Sequence, residues 1–199
     1  MNSVMKPAKN RVCQGDIYRD VACLEYAIES EGVVEISQIV FPYVVVLTQD
    51  CDLHQDSKVE QGEMGDHDKR LLSVIVAPLY NAEHVYQGEH LSELQMEMCK
   101  INRKKTPGQN LRQNQTPRYH YLEFPPDVPI VPSIVDFKHY FTVNVEYLKQ
   151  QRPSKHVCCL DYLYREDLSH RFASFLSRIG LPEPDATNAN TEQDPLSAS

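Results

Sequence analysis

The sequence of 199 residues predicts a mainly β fold, a small barrel with a helical insertion and a C-terminal helix. Three observations carry this. Seven short runs are rich in Val, Ile, Tyr and Phe, the residues that fit a pleated, half-buried surface. Only two stretches space their apolar residues as a helix does. A hydrophobic fraction of 41% suffices for one core, and a chain of this length makes one domain.

The β runs are Asp16–Leu24, Val33–Val40, Tyr43–Thr48, Leu71–Leu79, Tyr119–Phe124, Phe141–Tyr147 and His156–Tyr162. Several are almost continuously apolar, which suits strands covered on both faces. Residues 88–105, GEHLSELQMEMCKINRKK, place Leu91, Leu94, Met98 and Ile101 at helical spacing. In REDLSHRFASFLSRIGLP, Leu168, Phe172, Phe175, Leu176 and Ile179 form an apolar stripe. Glu166 and Asp167 precede it, Arg178 closes it, and Gly180 and Pro182 stop it. Residues 55–69 and 104–116 read as polar loops. The domain spans 11–181, and residues 1–10 and 183–199 are expected to be disordered tails.

The net charge of −8 argues against a general polyanion binder. No apolar run reaches the ~20 residues a transmembrane helix needs, and the N-terminus has no signal-peptide core. A cytoplasmic protein with six reduced cysteines is the expectation. Adjacent Cys158 and Cys159 would face opposite sides of a strand and pack separately. Charge is uneven: Lys100, Arg103, Lys104, Lys105, Arg112 and Arg118 occur with no acid between 100 and 118. Such a run is a local phosphate contact, a contact for the acidic tail, or a solvated helix end and loop.

FPYVVVLTQDCDLHQD (41–56) passes from β-formers straight into Asp50, Cys51, Asp52 and His54. A continued strand would put Asp50, Asp52 and His54 on one face and Cys51 on the other. Three readings compete. Cys51 is a nucleophile with His54 as base, against two carboxylates that disfavour a thiolate. Asp50, Asp52 and His54 hold a divalent metal by oxygen and imidazole ligands. Or an aspartate caps a turn while Cys51 packs as a small hydrophobe. Gly15-Asp16 in QGDIYRDV reads as a turn before a strand. Arg118, Tyr119, His120 and Tyr121 combine a cation with aromatic faces, which suits base stacking and phosphate binding as well as an ordinary amphipathic strand. VDFKHYFTV, with Asp136, Lys138 and His139, shares that ambiguity. No phosphate loop, GxGxxG, GxSxG or HExxH is present.

GDIY (15–18), PYVVVLTQD (42–50) and LSVIVAPLYNA (72–82), in that order, resemble the start of the MazF/PemK-like toxins. The resemblance implies an SH3-like barrel, a homodimer and RNA as ligand. Where those toxins carry a catalytic Arg before the Pro, this chain has Phe41; the catalytic Thr falls near Tyr80 or Asn81. A nuclease here would recruit Arg118, His120 or His84. The chain also resembles bacterial proteins with a QxCD segment, here Gln49, Cys51 and Asp52, which continue as VDFKHYFTVNVEYL and YREDLSHRFASFLSRIGLP. That resemblance implies a toxin–antitoxin or phage-defence setting.

The expected function is a non-catalytic module of such a system, binding RNA, DNA or a partner protein from the same operon. Gln49, Cys51, Asp52, Arg103, Lys104, Lys105, Arg112, Arg118 and Tyr119 are its candidate contacts, with no cofactor. The alternative is a ribonuclease or metal-assisted hydrolase using Asp50, Asp52, His54 or His120. A third reading makes the acidic tail a nucleic-acid mimic.

Overall fold

The computed structural model describes residues 4–5, 10–63 and 67–178. Among them, eight strands form one antiparallel sheet that curls into a half-barrel, so the small-barrel, mainly β expectation holds. The strand order is β1 (Val4–Met5), β8 (His156–Leu160), β2 (Asp16–Ser30), β3 (Val33–Val46), β4 (Ser73–Asn81), β6 (Ser133–Asp136) and β5 (Tyr119–Leu122). A further strand, β7 (Phe141–Asn144), pairs with the first half of β4, and β6 pairs with its end.

The apolar run of β3 is continuous because both faces are covered. Val44 and Val46 enter one core with Tyr18, Val74, Val76 and Leu148. Val45 and Leu47 enter the other with Ile17, Leu79, Phe137 and Leu160. The period of two thus divides one stretch between two cores. Helix α5 (Tyr162–Leu176) closes the second core with Leu168, Phe172 and Phe175. Asp161 caps it, accepting the Tyr162 N–H at 2.6 Å. Leu176, placed in the stripe by its spacing, is exposed, and Ile179 to Pro182 lie outside the described residues, as does the tail 183–199. Within the expected N-terminal tail, Val4 and Met5 pair with Leu160 and Cys159.

Several expectations are corrected. The two runs Val33–Val40 and Tyr43–Thr48 are one strand to Val46: Pro42, which lacks an N–H, falls opposite Asp20, whose φ is 53°, and pairing continues on both sides. Residues 55–69 are not a loop from their start, because helix α1 (Asp50–Glu60) runs through them, burying Leu53, Asp56, Ser57 and Val59. Phe141–Tyr147 is strand only to Asn144, whose side chain caps helix α4 (Val145–Lys155) by accepting the Tyr147 N–H at 3.1 Å. The loop 104–116 contains helix α3 (Thr106–Arg112).

Residues 88–105 are not a helix. Helix α2 (Ala82–Gln87) ends at Gly88, left-handed at φ 76°, where a Cβ would collide with the Met98 carbonyl. Backbone bonds from Met98 N–H to Gly88 O (3.0 Å) and Ile101 N–H to Tyr86 O (2.9 Å) then fold the segment back on α2. Leu91, Leu94, Met98 and Ile101 still face one apolar cluster, with only a single 3-10 turn at Ser92–Leu94.

No helix among the described residues is long and apolar enough to cross a membrane. No disulfide joins the six cysteines; Cys158 and Cys159 are both buried.

The ribbon of β2 and β3 extends beyond its neighbours. β8 pairs with β2 only at Asp16–Tyr18, and β4 with β3 only at Val44–Val46. From Leu24 to Gln38 the ribbon is a two-stranded arm with no third strand beside it among the described residues. Cross-strand pairs Ala27–Ile36 and Glu29–Val34 present one face, and Tyr26–Ser37 and Ile28–Glu35 the other. Leu24, Tyr26, Ile28, Val33, Val34 and Ile36 are all exposed.

Candidate nucleic-acid interface

The Asp50–His54 segment does not assemble as a strand face. It is the first turn of α1, so Asp50 and His54 sit one turn apart and Asp52 points elsewhere. Asp50 is bound to Arg11 at 2.8 Å and Arg165 at 3.5 Å and accepts the Gln14 N–H at 3.4 Å. It therefore anchors the segment leading into β2. Asp52 and His54 are exposed. Cys51 is exposed rather than packed, its thiol 3.5 Å from the Gln49 side-chain oxygen and 3.6 Å from Asp52. Among the described residues no three His, Cys, Asp or Glu side chains converge as a metal site would require.

The two carboxylates that do organise a site were not singled out for it. Asp16 is fully buried, accepting the Cys13 N–H (2.9 Å) and contacting Arg152 (2.8 Å) and His156 (3.1 Å). Gly15-Asp16 is the expected turn before β2, and it is also this hub. Asp56, 1% exposed, holds Lys149 at 2.7 Å and the Leu71 N–H at 2.9 Å. Burial lowers the Lys149 pKa, but its hydrogen bonds to the Asp56, Glu60 and Glu146 carboxylates outweigh it, and the net shift is upward. Asp56, Lys149, Arg152 and His156 line a cleft of about 720 Å³ between α1, α4 and residues 10–12, and the two sets of pairs strap α4 to the sheet.

The basic segment divides in two. Arg118 grips buried Asp136 through Nε at 2.8 and 3.0 Å and through Nη2, and lies over Tyr119 at 4.9 Å. That hydrogen bonding raises the Arg118 pKa further and commits its charge. His120 faces inward, 1% exposed, with Nδ1 unpartnered; burial, then Arg171, pushes its pKa down to about 3. It is a core residue, out of reach of any solvent-borne substrate.

Arg103 and Arg112 behave differently. Arg103 lies 4.4 Å over the Tyr86 ring and Arg112 5.9 Å over Tyr121. All four border one groove of about 420 Å³. Arg103 pairs with Glu83, and Arg112 with Glu123 at 3.9 Å. Three devices shape the groove. Gly108 lets α3 approach Asn102 and Arg103, where a Cβ would collide with backbone. Asn114 holds β5 by accepting the Tyr121 N–H at 2.6 Å and donating to its carbonyl at 3.2 Å. Arg171 of α5 donates to the carbonyls of Asn114, Thr116 (2.9 Å) and Tyr119 (2.8 Å). Lys100, Lys104 and Lys105 are exposed beside it in the chain. The sequence shows Arg103, Arg112 and Tyr121 as candidates but not Tyr86, whose ring meets Arg103 only because α2 and α3 pack together.

No protein-family model matches the chain, and no curated protein matches it significantly. The functional assignment therefore rests on these residues.

Proposed function

We propose that the protein is a non-catalytic binding module for single-stranded nucleic acid, which it holds along the Arg103–Tyr86 and Arg112–Tyr121 groove. The carrying observation is the pair of guanidiniums, each lying on a tyrosine in one groove. A guanidinium on an aromatic ring still offers a flat face to a base and donors to a phosphate. Glu83 and Glu123 stand where phosphates would, and exposed pairs of this kind contribute about 0–1 kcal/mol, so exchange costs little. The resemblance to toxin–antitoxin and phage-defence proteins supports a cytoplasmic setting of that kind.

The test is fluorescence anisotropy with a labelled single-stranded RNA of about 15 nucleotides, titrated over a range of salt. Arg103→Ala and Arg112→Ala should each weaken binding and reduce the slope of log K against log salt by roughly 0.7. An unchanged slope in the double variant would remove the groove from the reading. The same RNA, incubated with and without Mn²⁺ or Zn²⁺, should remain intact. Cleavage lost in Asp52→Ala and His54→Ala would establish the hydrolase alternative instead.

The partner supported by the arm is a second copy of this chain. A two-stranded ribbon with apolar side chains on both faces is marginal alone. Its six exposed apolar side chains are divided between the two faces of the ribbon, and the ribbon of a second copy would cover those of one face. Light scattering should give twice the monomer mass, and the triple replacement of Ile28, Val34 and Ile36 by Ser should give the monomer with its melting point kept. A monomeric wild type at high micromolar concentration would refute this.

A further inference from the structure

A second cavity, of about 300 Å³, adjoins the groove. The two are separated by two hydrogen-bonded stretches of backbone, 81–84 and 131–133. Asn81, His84, Val131 and Ser133 line the cavity, while the intervening Ala82, Glu83 and Pro132 line the groove.

The cavity is walled by flat and apolar side chains, among them Phe41, Tyr80 and Leu91. Phe41 and Tyr80 meet edge to face at 6.4 Å. The only formal charge on its described lining is Glu93, which is exposed. His90 stands against Tyr80, ring centroids 4.9 Å apart. Both His90 ring nitrogens are shielded from solvent, and neither meets hydrogen-bond geometry with any protein atom. The His84 backbone lies near enough to favour the charged ring. Burial, the largest influence, lowers the His90 pKa and favours the neutral ring. A neutral imidazole carries one donor and one acceptor, and leaving both unused in a shielded place is costly. The Tyr80 hydroxyl is already engaged, 3.0 Å from His139 Nδ1, so Tyr80 offers its ring.

A flat, neutral ligand whose edge carries a donor or an acceptor fits these walls and can meet one nitrogen of that imidazole. We infer that the cavity receives one unstacked nucleobase of the bound strand, seated against Phe41 and Tyr80 and hydrogen-bonded by His90. This rests on the single-strand reading of the groove. Pockets near this volume are the smallest that hold ligands, which suits one base rather than a folded structure. Gly88 sets His90 in place: its left-handed turn and the Met98 N–H to Gly88 O bond seat the return loop on α2.

The test compares the labelled RNA with a ribose-phosphate strand of equal length that lacks every base, on wild type and His90→Leu. Wild type should bind the complete RNA more tightly. His90→Leu should lose about tenfold on the complete RNA, within the range for one stacked base, and nothing on the abasic strand. In the wild type, the His90 imidazole resonance should shift with the complete RNA and stay put with the abasic strand. This second readout needs no variant to fold. Equal binding of both strands, an unchanged His90→Leu, or a silent His90 resonance overturns the base pocket while leaving the groove standing. Failure of both strands to bind overturns the groove and the pocket together. A free nucleoside that moves the His90 resonance when no strand binds would mark a mononucleotide site and also overturn the inference.

Discussion

Arg152→Ala should cost the folded state about 3–5 kcal/mol, the range for breaking a buried ion pair from one side. Asp16 is fully buried, and its carboxylate has no water to turn to when the guanidinium goes. Arg152 Nη1 donates both to Asp16 Oδ2 at 2.8 Å and to the Tyr18 hydroxyl at 3.2 Å. Burial, then Asp16, raises the Tyr18 pKa, so the phenol stays neutral and adds no second negative charge beside the carboxylate. The Cys13 N–H and His156 remain, but the pair joining α4 to β2 is broken. Urea unfolding at neutral pH measures the loss, and Arg152→Lys should recover part of it through the retained charge. A loss below about 1 kcal/mol in Arg152→Ala would mean that the carboxylate is reached by water, as an exposed pair is.

Acid should destabilise the protein through His120. In the unfolded chain this imidazole titrates near 6.5, and in the fold at about 3. The unfolded state therefore takes up the proton first, and stability falls as pH drops through that window. At pH 5 the loss is about 2 kcal/mol, and it is on the order of 4 kcal/mol by pH 3. Burial lowers the His90 and His139 pKa values too, adding the same sign. Above about pH 7 the His120 contribution is flat, because the imidazole is neutral in both states. His120→Leu should thus lose about 2 kcal/mol less than wild type between pH 7.5 and 5, measured by urea midpoints. Parallel stability curves for the two proteins would show that the ring is protonated without unfolding.

The parts of this fold that can be read along the chain are those where local spacing and burial agree. Residues 44–47 are apolar because both faces of β3 are covered, and the helix of Leu168, Phe172 and Phe175 buries the stripe its spacing predicts. Elsewhere tertiary contacts override local pattern. Residues 91–101 have helical spacing, yet Gly88 and its bonds turn them into a return loop that keeps the same side chains buried. Helix α1 carries few apolar residues, and its inward face depends on Asp56, whose burial is tolerable only with Lys149 across from it. The site follows the same rule. Arg103 and Arg112 stand out as part of a charge run, but the tyrosine beneath Arg103 comes from another element. Arg118 stands out equally and is committed to Asp136, a partner 18 residues away. His120 looks outward by alternation and lies in the core.

The place of β8 in the sheet governs when the protein can fold. Asp16 pairs with Cys159 and Ile17 with Cys158, so the edge of β2 waits more than a hundred residues of synthesis for its neighbour. Leu160, Leu168, Phe172 and Phe175 complete one core only after that strand arrives. With chain growth near 5–20 residues per second, β2 stays uncovered on the ribosome for several seconds or more. Non-local pairing of this kind also slows the folding step itself. During that interval the open edge of β2 and the apolar arm beyond it are both available, so nascent chains on one message can meet before any of them has closed.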